Sequence, residues 1–396
     1  TFPREVRLTY RRRPAGLSFR AGARRPCSAR VPPASRGATL RKHATILTLA
    51  CLLALSAAAA LSCGPGKDTG TGTTPQAEIY GMHFQPQLQS SAEEVFAEME
   101  SLGVRWVRWN THWLTLEPAA GSFDWRSLDA IVAAATKHNL KLLITLRAIS
   151  TWGSTRVPVN LTGGGYHATS PPKSTGQYNA WVTATTSHYK GKVAAWQIEN
   201  EPNAKAFWDG TRDEYISLLK AGYTAAHTGD PGAVVLPAGL ACGFSNAAPA
   251  EAKKASIGEW FNAILDSKAY DALDLHDYYP PETPNAWGIT FEDYIGWERG
   301  WIKTKGFSPP LWMSEAGVSS EPVNVGGQSV GFTPEKQAAD LGKVYAQAAA
   351  NGIAHVFWIK LVDRAEQAFS FMGLETRSRE PKPAFSEYQK IAGRQP

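Results

Sequence analysis

From residue 78 onward the chain alternates two hydrophobic rhythms. Short apolar runs at residues 78–83, 104–109, 141–146, 193–199, 233–238, 272–276, 310–314 and 355–359 have the length and composition of strands buried on both faces. Longer segments with apolar positions three and four apart fall between them, at 92–102, 127–138, 176–189, 213–227, 256–266, 290–304 and 334–350, with a last one at 384–391. These predict amphipathic helices. Strict alternation of the two kinds predicts a parallel α/β fold, and eight of each is the count of a single-domain (β/α)8 TIM barrel over residues 77–393. An open doubly wound sheet is the alternative, but no glycine-rich phosphate loop follows the first strand. Gly163-Gly164-Gly165 lacks the Lys-Ser/Thr of a phosphate loop and reads as a flexible connection.

Ahead of this block the pattern breaks. Residues 1–40 are rich in Arg, Pro and Ala, and the first Met is Met82, so this stretch reads as translated upstream sequence with a start near Leu40. Residues 41–63 read as an export signal: Arg41-Lys42 form a positive start, 44–61 are uncharged and apolar, and small residues lead to Ser62-Cys63. Cys63 and the polar linker 64–76 resemble a bacterial lipoprotein cleavage site and its tether, although Ala60 stands where such sites usually carry Leu. Cleavage near Ala58-Ala59-Ala60 and retention as an uncleaved anchor are the other readings. All three export the domain, and they allow membrane contact only through the N-terminal lipid or anchor.

Charge follows the same division. Of 41 Lys and Arg, 12 lie in residues 1–63, against one of 35 acids; the remainder holds 29 basic and 34 acidic residues, and the formal charge falls from +6 to −5. The basic balance therefore gives no argument for a nucleic-acid partner. Only Cys242 follows Cys63, and no CxxC, clustered Cys/His or HExxH pattern predicts a metal or other cofactor.

Candidate chemistry gathers where the strands end. Trp196-Gln197-Ile198-Glu199-Asn200-Glu201-Pro202-Asn203 and Leu311-Trp312-Met313-Ser314-Glu315-Ala316-Gly317 are apolar runs that end in a carboxylate. The sixth run ends in His276-Asp277-Tyr278-Tyr279-Pro280, the second carries Arg108 and runs into Asn110, and the eighth contains Trp358. The C-terminal rim of a barrel is its catalytic face. Two carboxylates facing one cleft are what glycoside hydrolysis requires, roughly 5–5.5 Å apart for retention and roughly 6.5–9.5 Å for inversion. Glu199, two residues before Glu201, would point the same way on a regular strand. The Asn-Glu-Pro context favours Glu201.

These motifs resemble the clan A retaining glycoside hydrolases. Asn200-Glu201-Pro202-Asn203, Phe207-Trp208, Thr211 through Tyr215 and Asp230-Pro231 are most similar to family 39, with family 5 second. Gly373-Leu374 and Pro381-Lys382-Pro383-Ala384 are similar to the last barrel turn of such enzymes. The resemblance implies a double displacement with Glu201 as acid/base and Glu315 as nucleophile. It further implies that Asn200 binds the sugar 2-hydroxyl, that Tyr278 or Tyr279 and Arg108 keep Glu315 ionised, that His276 lines the subsite, and that Trp358 floors it. Trp152, Trp208 and Trp287 sit in loops expected to follow strands, as candidates to stack on sugar. Trp106, Trp125 and Trp196 are expected to pack. The competing function is a surface carbohydrate-binding lipoprotein that kept the barrel without turnover.

Overall fold

A computed structural model of the chain describes residues 78–85, 90–156, 168–242, 249–278, 281–282, 288–325, 328–330, 332–364 and 371–393. Cys63, Tyr279, Trp287 and the whole export segment lie outside the described residues. The described elements run β1 (Tyr80–His83), α1 (Ala92–Ser101), β2 (Trp106–His112), α2 (Trp113–Leu116), α3 (Arg126–Lys137), β3 (Lys141–Arg147), α4 (Thr175–His188) and β4 (Ala195–Ile198). They continue through α5 (Arg212–Gly229), β5 (Val234–Pro237), α6 (Ala250–Ser267), β6 (Leu273–Asp277), α7 (Phe291–Thr304) and β7 (Leu311–Ala316). A hairpin of β8 (Val323–Val325) and β9 (Gln328–Val330), then α8 (Pro334–Ala350), β10 (Ile353–Trp358) and α9 (Pro383–Ile391), complete the order.

Eight strands lie parallel in the order β5-β4-β3-β2-β1-β10-β7-β6. The two edges meet through Asp271, whose N–H donates to the Val235 carbonyl at 2.8 Å and whose carboxylate accepts from the Val235 N–H at 2.8 Å. The result is the expected (β/α)8 barrel. Its helices start where side chains can satisfy the open N–H groups. Ser91 with Glu94, Thr211 with Glu214 and Thr290 with Asp293 form capping boxes for α1, α5 and α7. Thr333 caps α8 ahead of Pro334, a proline at the first turn where its missing N–H costs nothing.

The apolar residues divide into two groups. The larger fills the shell between sheet and helices, and includes Trp113, Trp181, Trp196 and Trp358. The smaller, Trp106, Leu143, Ala195, Leu236, Ala272, Trp312 and Phe357, plugs the barrel at the starts of its strands. There Trp106 meets Trp312 edge to face at 5.0 Å. Two residues further along five of these strands, the positions become Arg108, Thr145, Gln197, Asp274 and Ser314, all buried. Period-two alternation thus sets an apolar floor and a polar layer above it.

Several expectations shift by a turn or a face. The helix expected at 256–266 begins at Ala250, because residues 250–255 are strong helix formers without an apolar stripe to mark them. The second strand continues through Asn110 to His112, and β7 includes Glu315 itself. The single turn α2 and the β8–β9 hairpin were not expected at all. Val104, the first residue of the second expected strand, precedes β2 and joins the outer shell.

Candidate active site

The ends of β2, β4, β6 and β7 bring Arg108, Asn200, Glu201, His276, Tyr278 and Glu315 together. Glu315 reaches the interior through a bulge. The β6–β7 register pairs Leu275 with Met313 and then His276 with Glu315, so Ser314 is an extra residue. A bulge of this kind re-aims the side chains beside it. Ser314 and Glu315 consequently both serve the interior, which regular alternation forbids.

At the end of β4 the backbone departs further from a strand. Glu199 has φ +70° and Glu201 φ +45°, left-handed conformations that cost a non-glycine residue about 1–3 kcal/mol each. They overturn the expectation that residues 199 and 201 point the same way. Glu201 turns into the pocket, where its Oε1 lies 2.9 Å from His276 Nδ1. Glu199 turns to the end of β3 instead. Its Oε2 accepts from Arg147 Nε at 2.8 Å and Thr169 Oγ1 at 3.1 Å, and its Oε1 from the Ala148 N–H at 2.5 Å.

One oxygen each of Glu201 and Glu315, and a ring nitrogen of His276, lie within 4.8 Å of one another. Arg108 NH1 donates to Glu315 Oε1 at 2.5 Å and Tyr278 OH to Oε2 at 2.5 Å. Both carboxylates keep 8% of their surface, enough to meet a ligand, whereas Arg108 and His276 have none.

The polar layer below holds this arrangement. Gln197 Oε1 accepts from Arg108 Nε, Arg108 NH2 and Thr145 Oγ1 at 2.9, 2.8 and 2.7 Å. Arg108 NH2 also donates to Asn200 Oδ1 at 2.7 Å, which leaves the NH2 end of that amide as its donor. Gln197 Nε2 donates to Asp274, and Ser314 Oγ donates to Asp274 Oδ2 at 2.5 Å. Since the Ser314 hydroxyl spends its proton there, it accepts from His276 Nε2 at 3.1 Å. The other ring nitrogen, Nδ1, then shares a proton with Glu201.

The two glutamates are driven in opposite directions. Burial raises the Glu201 carboxyl above its ordinary value, with the charge of Glu315 adding to the rise against the opposing pull of His276. Burial also opposes ionisation of Glu315, but the charges of His276 and Arg108, with the Tyr278 hydroxyl, overcome it and hold the group at about 2. For His276 burial disfavours the charged ring, and the carboxylates of Glu315, Glu201 and Asp274 more than offset it, so its pKa rises. Burial and the neighbouring carboxylates keep Tyr278 protonated, hence a donor. The two carboxyls are thus pushed apart, Glu315 toward the ionised form and Glu201 toward the protonated one, the division that acid–base work on a glycosidic bond needs.

Glu201, His276 and Glu315 could each offer one atom to a cation. Those atoms already meet Arg108, Tyr278 or one another, and a cation there would face the Arg108 guanidinium.

The tryptophans correct the sequence reading. Trp358 is fully buried in the outer shell, with its Nε1 donating to the Met372 carbonyl at 2.8 Å, so it presents no face to a sugar. Its outward aim follows from alternation beside Phe357, which faces the interior. Trp208 is buried too, donating to the Thr211 carbonyl at 2.9 Å and packing on Tyr215. Trp152 is half-buried against Trp113 and donates to the Glu117 carbonyl at 2.9 Å. Sequence reasoning also missed Gln197, Asp274 and Ser314, although counting back by two from Glu199, His276 and Ala316 finds all three. His83 ends β1, buried, with no hydrogen-bond partner for Nδ1 among the described residues; burial and the charge of Arg108 lower its pKa to about 3. Lys360 follows β10 and is also buried; burial and the charge of Arg364 lower its pKa to about 8.

Residues 83–229 match the family model described as "Beta-galactosidase", glycoside hydrolase family 42. That stretch carries Arg108, Asn200 and Glu201. Over that stretch the chain is similar to this family of clan A glycoside hydrolases. Among its relatives, mannan endo-1,4-β-mannosidase A of Hypocrea jecorina is 24% identical over 66% of this chain and 64% of its own length. The probable mannan endo-1,4-β-mannosidase A of Aspergillus oryzae is 24% identical over 64% and 70%. The chain thus spans a little under two thirds of the first of these relatives. A family 39 glycoside hydrolase of Bacteroides cellulosilyticus WH2 shares the fold with a TM-score of 0.60 at 18% identity, over 81% of this chain and 64% of the other. A monomeric β-xylosidase of Caulobacter crescentus CB15 does so with a TM-score of 0.59 at 16% identity, over 81% and 69%.

Proposed function

We propose that this protein is an exported, retaining glycoside hydrolase that cleaves β-O-glycosidic bonds of a polysaccharide or its oligosaccharides. The carrying observation is the pair Glu201 and Glu315, with oxygens within 4.8 Å across one pocket and opposite protonation preferences. Glu315 attacks the anomeric carbon to form the glycosyl-enzyme while Glu201 protonates the leaving oxygen, and Glu201 then takes a proton from the water that releases the sugar. The Asn200 NH2 end meets the sugar 2-hydroxyl. Arg108 and Tyr278 keep the nucleophile ionised, and His276 relays charge between the two carboxyls. The mannanase names of the curated relatives make β-1,4-mannan the first polymer to try, and the β-xylosidase in the same fold makes xylan and aryl β-xylosides the second. Export rests on the signal-like residues 41–63, and attachment through a lipidated Cys63 on the residues around it.

The test is hydrolysis of aryl β-mannoside, β-xyloside, β-glucoside and β-galactoside alongside mannan, xylan and glucan. Turnover of at least one substrate is expected, and azide should restore activity to Glu201→Ala on an aryl glycoside with a good leaving group. Failure on every substrate, or azide rescue of Glu199→Ala in place of Glu201→Ala, contradicts the reading.

A further inference from the structure

We infer that Glu199 is a positioning residue for the acid/base, and that it acts by clamping the end of β4 in the bend that turns Glu201 into the pocket. The inference rests on the glycosidase reading above and goes beyond it, since no step of double displacement requires an acid at position 199. The residue is fully buried, yet both its oxygens are engaged away from the reacting pair, by Ala148, Arg147 and Thr169. The clamp joins three parts of the rim. Arg147 ends β3, and its NH2 also donates to Thr169 Oγ1 at 3.0 Å and to the Phe207 carbonyl at 3.2 Å. Thr169 bridges to the loop after β4, where its N–H meets the Phe207 carbonyl at 2.8 Å and its carbonyl meets the Asp209 N–H at 2.7 Å.

The bend itself is the reason a clamp is needed. A residue with a Cβ prefers extended backbone over the left-handed region, so position 199 at φ +70° holds only while something fixes it. Relaxation to a regular strand would restore alternation and point residues 199 and 201 to the same side. The ion pair with Arg147 and the Ala148 N–H oppose that relaxation from the side chain. Asn200, pinned by Arg108, fixes the next residue. Glu201 therefore inherits its aim from two anchors, one to each side of the pocket wall.

Leaving-group dependence tests this, because an aryl glycoside that expels dinitrophenolate needs no proton from an acid, whereas one that expels phenolate does. Glu199→Ala and Glu199→Gln are compared with wild type and Glu201→Ala on phenyl and 2,4-dinitrophenyl β-glycosides of the sugar turned over fastest. Glu199→Ala is expected to lose about 100-fold in kcat/KM on the phenyl glycoside, as an ångström-scale displacement does, and less than about 10-fold on the dinitrophenyl one. Glu199→Gln, which keeps the shape and loses the charge, should show the same bias at smaller size; should the alanine variant not fold, it decides alone. Equal losses on both substrates, or no loss on either, overturn the inference and leave the proposed function standing. A wild-type protein active only on a polymer is compared on the phenyl and dinitrophenyl glycosides of that polymer's oligosaccharides, and one inactive on every aryl glycoside and every polymer overturns both.

Discussion

The floor and the rim of this barrel are built by the same strands and follow the same alternation up to a point. At the floor, Trp106, Leu143, Ala195, Trp312 and Phe357 take the inward positions that a regular β-strand assigns them, and they make a packed plug. At the rim the same strands abandon regularity. A bulge inserts Ser314 ahead of Glu315, and left-handed residues at 199 and 201 twist the end of β4. The floor is regular because packing rewards only shape. The rim is irregular because charge has to be aimed, and the strain is held by hydrogen bonds, from Arg147, Ala148 and Thr169 to Glu199 and from Arg108 of the polar layer to Asn200.

The comparison can be broken from either end. Replacing Glu315 by Gln should cost the largest effect, on the order of 10⁴-fold or more in kcat, with little change in thermal unfolding, because in the proposed mechanism the group forms the covalent bond. A residual rate within 10-fold of wild type would mean that the rim is not where chemistry happens. Trp312→Ala at the floor should do the reverse. It is expected to lower stability by about 3–5 kcal/mol in denaturant unfolding while leaving activity per folded molecule nearly intact. A large loss of kcat in well-folded Trp312→Ala would show that floor and rim are not separable.

The smallest effect sharpens the comparison. Tyr278 donates to the ionised form of Glu315, so Tyr278→Phe should raise the pKa of that carboxyl above its present value of about 2. A higher pKa leaves Glu315 protonated up to a higher pH, so the acid limb of kcat/KM moves upward, by about one unit for a lost bond of about 1.4 kcal/mol. In the proposed mechanism the alkaline limb belongs to Glu201, whose pKa is raised by burial, and it should stay in place. Movement of the alkaline limb alone would reverse the assignment of the two roles.

Most of the barrel was legible in the sequence, because alternation of short apolar runs with amphipathic segments is a signal carried by many residues at once. All eight barrel strands overlap their expected positions. What escaped depends on single residues. Ala250 opens a helix six residues ahead of the expected Ser256 because residues 250–255 show propensity without pattern. Context singled out the glutamates at 201 and 315 as candidates, but the bulge at Ser314 and the left-handed turn at Glu199 have no periodic trace. Trp358 was placed by resemblance to a family, and in this chain alternation beside Phe357 sends it outward into the shell. Gln197, Asp274 and Ser314 were within reach of a count by two along their strands, and they carry the network under the site.

The central claim, two carboxyls at one pocket with one attacking and one donating, is tested most directly by trapping the covalent intermediate. A 2-deoxy-2-fluoro glycoside with a good leaving group slows release of the sugar, so the glycosyl-enzyme accumulates and its peptide can be identified by mass spectrometry. The account predicts a single fluorosugar on Glu315, absent in Glu315→Gln and still formed in Glu201→Ala. A label on Glu201 or Glu199, or turnover with inversion and no label anywhere, would contradict it.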